Sequence, residues 1–303
     1  MNSLKGLLSQ EFEIKDVGHL KYFLGMEVAR SSKGISISQW KYVLDLLNET
    51  GMMGCKPVDT LMDPNVKLGP RTGGTTVDKG RYQQLVGELI YLTHTRPDIG
   101  FSVSVVSQFM NNPSKEHLEA VYRIIRYLKS DPGKGLFFGK TASRAIDVYT
   151  DADWVGSVTD RRSTSRYCSF IWGNLVTWHS KQSVVACSSA ESEFRALVHG
   201  ICEGMWLKRQ LQEIRVKSDG PIHMKSDSQS AITIAKNLVH HDGTKHVEVD
   251  RHFISEKIEN QVITLSHVPT RFQTADILTK ALHRPNFHDL CSKLGMISIY
   301  CPA

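Results

Sequence analysis

Four separated stretches of the sequence carry an acid where a β-forming or apolar run meets a turn or a helix start. "DVYTDADWVGS" (147–157) has Asp151 at the tip of its run and Asp153 two positions on. "SSAESEFRAL" (188–197) sets Glu191 and Glu193 in the first turn of a long helical pattern. "MKSDSQSA" (224–231) puts Asp227 between a strand and a helix, and "QTADILTK" (273–280) puts Asp276 at the opening of another. Singly, each acid has an ordinary role. Asp227 and Asp276 would cap helices or complement their dipoles, and Asp151 would begin a turn. Together they suggest a rim of carboxylates. Such acids repel one another and persist where cations neutralise them. An all-oxygen donor set suits Mg²⁺ or Mn²⁺. Two such ions can activate a water and stabilise the leaving oxygen of a phosphodiester.

A sheet is needed to gather them. Strands read near 145–150, 166–172 and 175–180. A long helix from Ala190 to Glu213 follows, with Phe194, Leu197, Val198, Ile201 and Met205 on one stripe. "PIHMKSD" reads as a strand leading into the helix "SQSAITIAKN". "KHVEVDRHFISEKIEN" reads as a helix, "QVITLSHVP" as a strand and "TADILTKAL" as the last helix. The order β-β-β-α-β-α-α-β-α implies an α/β fold in the broad α+β sense, a mixed sheet flanked by helices.

Upstream, residues 20–38 read as two strands around a Ser-Ser-Lys-Gly turn. "QWKYVLDLLNETGM" is helical in spacing and stops at Gly51. Residues 55–80 read as a long connection. Two helices follow, "YQQLVGELIYLTHT" and "SKEHLEAVYRIIRYLKS", the second capped by Ser114 and closed before Pro132. "DPGKGLFFGKTASR" reads as a boundary.

Composition bounds the function. A chain of 303 residues with 41% hydrophobic and 22% charged residues is that of a folded globular protein. A net charge of +6 permits a nucleic-acid partner without requiring one. The six cysteines lack C-x-x-C spacing, which argues against a zinc site or disulfide framework and for a reducing, intracellular compartment. No window has the apolar length of a membrane span, and "MNSLKGLLSQEFEIKD" turns polar too early for a signal peptide.

The stretches "LKYFLGMEV", "GISISQWKYVLDLL", "YQQLVGELIYLTHTRPDIGFSVSVVSQFM", "HLEAVYRIIRYLK", "YTDADWVGSVTDRRSTSRY", "SSAESEFRAL", "SDSQSAITIAKN", "TKHVEVDRHFISEKI", "HVPTRFQTADILTKAL" and "KLGM" run in order along nearly the whole chain. In them the chain resembles the C-terminal part of the Pol polyprotein of copia-type LTR retrotransposons, those of plants in particular. The resemblance implies that residues 1–138 are the last part of a reverse transcriptase, a mostly helical thumb or connection with a short hairpin. It implies a ribonuclease H-like domain over 144–283, and a tail with a short helix over 284–303. It also implies cleavage of the RNA strand of an RNA–DNA hybrid with two Mg²⁺ or Mn²⁺ ions, leaving a 3′-hydroxyl and a 5′-phosphate. The implied ligands are Asp151, bridging both ions, Glu193 and Asp227 on one, and Asp276 on the other. Glu193 is preferred to Glu191 because "EFRAL" matches the family pattern. The 2′-hydroxyl would distinguish RNA from DNA at the cut strand.

The chain departs from the family in two places. Arg166 stands where Gly is usual after "RRSTS", and "WHSKQSVVACSS" is one residue short, with Cys187 where a basic residue is common. These changes support an alternative, an inactive remnant that at most binds nucleic acid. A third reading, an integrase or transposase of the same broad fold, is disfavoured by the number and order of the acids. Arg161, Arg162 and Lys181 are candidates for hybrid phosphates, and His267 for product release. His240, His241, His246 and His252 read as hydrogen-bonding residues rather than a zinc site. Trp154, Trp172 and Trp178 read as packing residues. The chain has no adjacent Asp-Asp pair, so polymerase activity is not expected of it. The remainder of the Pol polyprotein is an expected partner, and a cytoplasmic virus-like particle or the nucleus the expected location.

Overall fold

A computed structural model describes residues 6, 9–13, 18–63, 68–70, 77–153, 163–182, 188–236 and 245–299, the side chains of 180–182 and 245–249 excepted. It contains two five-stranded sheets. The first, in the order β1-β2-β3-β4-β10, comprises β1 (Tyr22–Phe23), β2 (Met26–Arg30), β3 (Gly34–Ser38), β4 (Lys134–Gly139) and β10 (Met296–Ser298). All its neighbours are antiparallel. The expected hairpin is therefore the start of a larger sheet. Its fourth strand, "KGLFFG", lies in the stretch that reads as a boundary. Its fifth is β10, in the expected tail, which pairs Met296 with Leu136. Sequence spacing misses such strands because each is short and its partner lies far along the chain.

Helices α1 (Trp40–Glu49), α2 (Lys79–Leu92), α3 (Gly100–Ser107) and α4 (Lys115–Ser130) pack in this half. Helix α2 buries Tyr82, Leu85, Val86, Leu89 and Leu92, a single stripe at helical spacing. Asp78 caps it by accepting from the Arg81 N–H at 3.1 Å. At the start of α4 the His117 Nδ1 accepts from the Ser114 N–H at 3.0 Å. Helix α3 is absent from the sequence reading. Its "GFSVSVVS" alternates like a strand, and burial of Ser102, Val103 and Val106 overrides the local β preference.

The second sheet has the order β7-β6-β5-β8-β9, formed by β5 (Ile146–Asp153), β6 (Thr164–Ile171), β7 (Asn174–Gln182), β8 (Ile222–Ser226) and β9 (Ile263–His267). β5, β6 and β7 are antiparallel, while β8 and β9 continue from β5 in parallel. With α5 (Ser189–Glu213), α6 (Gln229–Lys236) and α7 (Lys245–Glu259), this is the order expected of the ribonuclease H-like domain. The final helix differs. "TADIL" forms a 3-10 turn over Thr274–Leu278, every residue of it buried. A true helix, α8 (Arg284–Lys293), follows it.

One face of the second sheet packs Ile146, Val148 and Met224 against Phe194, Leu197 and Ile201 of α5. On the other face, Cys168, Phe170 and Leu175 join a cluster that continues through Ile277, Leu278, Phe287 and Leu290 into α2 and α4. The N-terminal half thus covers a face of the second sheet. Helix α5 comes close to β5 because Gly200 faces it. A Cβ there would lie 2.4 Å from Thr150 Cγ2.

Candidate carboxylate metal site

Asp151, Asp227 and Asp276 each offer a carboxylate oxygen, and these oxygens lie within 4.8 Å of one another. The elements explain the convergence. Strand β5 runs to Asp153, three residues further than its expected end, so Asp151 sits inside the strand and is 2% exposed. Asp227 follows the parallel neighbour β8, and the Thr270 hydroxyl donates to its Oδ2 at 3.1 Å. Asp276 arrives on the 3-10 turn, which Gln273 ties to β5. The Gln273 amide Nε2 donates to the Thr150 carbonyl at 2.8 Å, and its Oε1 accepts from the Ala275 N–H at 3.3 Å.

Glu193 enters from α5. Its Oε1 accepts from the Ala152 N–H at 3.2 Å, beside Asp151, and its Oε2 is buried without a hydrogen-bond partner. Glu191, the alternative acid, instead pairs with Arg195 at 2.7 Å along the helix. Local spacing left this choice open because both acids flank the same apolar stripe.

Burial raises the Glu193 carboxyl to about 9, with Asp151 and Asp227 adding to the rise and the Ala152 N–H and Lys280 opposing it. Burial likewise raises Asp276 to about 7, with Asp151 adding and Lys280 opposing. Crowded acids in a dry place resist sharing negative charge. The Oδ2 of Asp151 is a further buried oxygen without a hydrogen-bond partner. Carboxylate oxygens, with no nitrogen or sulfur donor joining them among the described residues, fit a hard divalent cation such as Mg²⁺ or Mn²⁺.

Among the described residues two cations border the acids, and sequence reasoning assigned neither. Lys280 Nζ lies 2.9 Å from Asp276 Oδ1 and 4.0 Å from Asp151 Oδ2. Its signal was the i, i+4 spacing in "DILTK". Arg166 pairs across the strands with Asp151 and is 4% exposed. Its guanidinium lies 5.4 Å from the centre of the Phe101 ring of α3. Burial lowers its pKa to about 10, opposed by Asp153 and Asp151. Arg166 does not distort its strand: the β5–β6 pairing runs unbroken from Ile146↔Ile171 to Asp153↔Thr164.

Of the other candidates, Lys181 lies in β7 opposite Ser165, with its side chain outside the described residues. Arg161, Arg162, Trp154, Cys187, His240 and His241 also lie outside them, as does the side chain of His246. His252 is exposed. His267 is exposed at the end of β9, paired with Ser226 beside Asp227. Trp172 occupies the β6–β7 turn at φ 56°, with Arg144 4.4 Å from its ring centre, and Trp178 packs on the core. No helix among the described residues is long and apolar enough to cross a membrane.

A reverse transcriptase (RNA-dependent DNA polymerase) family matches residues 1–64. The chain is 39% identical, over 96% of its length, to the retrovirus-related Pol polyprotein from transposon RE1 of Arabidopsis thaliana, and spans 20% of that protein. Against the Pol polyprotein from transposon TNT 1-94 of Nicotiana tabacum it is also 39% identical, over 97% of its length and 23% of that protein. An uncharacterized mitochondrial protein of A. thaliana is 36% identical over 68% of the chain and 86% of its own length. Among solved structures, LC11-RNase H1 in complex with an RNA/DNA hybrid matches 44% of the chain and 92% of its own, at 16% identity and a TM-score of 0.34. A foamy viral protease-reverse transcriptase in complex with dsDNA matches 82% of the chain and 44% of its own, at 13% identity and a TM-score of 0.41. Sequence identity along almost the full chain assigns the family: the chain belongs to the Pol polyproteins of copia-type LTR retrotransposons.

Proposed function

We propose that residues 144–283 form a divalent-metal-dependent ribonuclease H that cleaves the RNA strand of RNA–DNA hybrids within a retrotransposon Pol polyprotein. Residues 1–138 are the end of its reverse transcriptase. The observation that carries this reading is the gathering of Asp151, Asp227 and Asp276, with Glu193 beside them, at one buried rim. Evolution rarely leaves such a cluster without a cation to neutralise it, because its electrostatic cost is high.

Each acid has a distinct task in this reading. Asp151 is the central ligand, and its buried Oδ2 has no hydrogen-bond partner. Glu193 holds one oxygen on the Ala152 N–H and leaves the other for a ligand. The Thr270 hydroxyl orients Asp227, and Gln273 fixes the turn that carries Asp276. Bound Mg²⁺ or Mn²⁺ would supply the charge that draws the acids together and activate a water towards the scissile phosphate. Arg161, Arg162 and Lys181 are assigned to hybrid phosphates and His267 to product release. The remainder of the polyprotein would supply the polymerase site.

A second reading, a remnant that binds nucleic acid without cutting it, draws support from the buried Arg166 beside Asp151. A hybrid-cleavage assay with Mg²⁺ or Mn²⁺ separates the two. Cleavage that disappears in Asp151→Asn supports the nuclease. Binding of hybrid without cleavage supports the remnant.

A further inference from the structure

The two cations beside the acids differ in one respect that matters for metal binding. The Arg166 side chain is enclosed. The Lys280 side chain is 42% exposed, against 3% for Asp151 and 7% for Asp276, whose oxygens it reaches. Lys280 therefore enters the site from solvent and can withdraw the same way. Its backbone is not free to follow. The Lys280 N–H donates to the Asp276 carbonyl at 3.1 Å, and the Thr279 N–H and hydroxyl donate to the same carbonyl, each at 3.0 Å. Any movement falls to the four-carbon stem, and rotation of its bonds carries the ammonium clear of the rim.

We propose that Lys280 is a displaceable counter-ion of the carboxylate site. In the metal-free chain its ammonium bridges Asp276 and Asp151; when divalent ions bind, it leaves. Lys280 thereby sets the metal concentration at which the site fills. The proposal rests on the metal-site reading above. A monovalent ammonium and a divalent ion compete for the same oxygens, and they repel each other at such short range. The divalent ion carries more charge and wins when abundant. Without it, Lys280 limits the repulsion among the acids and keeps their geometry ready. Arg166 cannot perform this exchange, since withdrawing would leave a buried charge without relief.

Two measurements test this, neither of them nuclease activity. In the first, Mn²⁺ binding is followed by calorimetry on the full chain and on Lys280→Met, Lys280→Gln and Lys280→Arg. Met and Gln are expected to tighten Mn²⁺ on the order of tenfold by removing a competing charge, and Arg to keep the wild-type affinity. Unchanged or weaker binding in Met and Gln, with folding verified by circular dichroism, overturns the proposal. In the second, the unmodified chain is labelled with an amine-reactive ester and read by mass spectrometry. Lys280 is expected to react several-fold faster in Mg²⁺ than in EDTA, and an equal rate overturns the proposal without relying on any variant. If the unmodified chain binds no Mn²⁺ at all, the metal-site reading falls together with this one. If it binds Mn²⁺ but Lys280 changes neither readout, this inference alone falls.

Discussion

Two buried acids, one in each half of the chain, meet opposite fates. Asp98, in the first half, is 1% exposed and fully compensated. Arg96 donates to both its oxygens, at 3.0 and 2.8 Å, and the Tyr127 hydroxyl donates at 2.7 Å. Burial would raise the Asp98 carboxyl, but Arg96, Lys134 and Tyr127 outweigh it and hold it below its ordinary value. Glu193, in the second half, is 7% exposed and has one backbone N–H and a more distant lysine, so its carboxyl rises. Similar burial yields opposite shifts because Asp98 is hydrogen-bonded directly by a buried guanidinium, whereas Glu193 faces Asp151 and Asp227 with only a backbone N–H on it. The first arrangement is what a fold needs for itself. The second makes sense if a cation comes from outside.

The largest effect separating the two should come from Asp98→Ala. It strands a buried Arg96 and should cost about 3–5 kcal/mol in urea unfolding. Asp151→Asn should behave in the opposite manner. In EDTA it should leave stability unchanged or raised, because it relieves repulsion, and in Mg²⁺ it should lower hybrid cleavage by about 10²–10³-fold. Equal destabilisation by both substitutions would erase the contrast.

Gly200→Ala should cost about 1–3 kcal/mol by overpacking α5 against Thr150. It should also lower cleavage, since the same helix carries Glu193. A crystal structure with α5 unmoved would refute that link.

In pH the two kinds of acid differ by sign. Unfolded, Glu193 and Asp276 lose their protons near 4.5 and 3.8; folded, they hold them to about 9 and 7. Over those ranges the folded chain binds more protons, so their contribution to stability falls as pH rises. Mg²⁺ should flatten the decline, and Glu193→Gln should remove much of it. Asp98 has the reverse sign: its stabilisation is present at neutral pH and is lost as pH falls below its ordinary 3.8. Thermal melts at several pH values, with Mg²⁺ and with EDTA, read both trends.

The stripes of α2 and α4, the Ser114 start and the strand-then-acid pattern at Asp151 and Asp227 were legible in the sequence, because each depends on neighbours a few residues away. Helix α3 was not, since its alternating serines and valines carry a strand's period into a helix that only burial stabilises. Strands β4 and β10 were missed for a related reason: their pairing joins residues more than 150 positions apart. At the site, the four acids were nameable from the sequence and the resemblance it carried, but Lys280, Gln273, Thr270 and the setting of Arg166 were not.

By itself the sequence determined which groups bear charge, which segments prefer helix or strand, and to which family the chain belongs, since residue type and local spacing encode all three. The tertiary structure alone decided that Glu193 accepts from the Ala152 N–H while Glu191 pairs with Arg195 along its helix, that the N-terminal half closes one face of the second sheet, and that a solvent-borne lysine spans two of the acids. Those outcomes depend on distances between residues remote in the chain, and a carboxylate's charge state follows from what surrounds it in space.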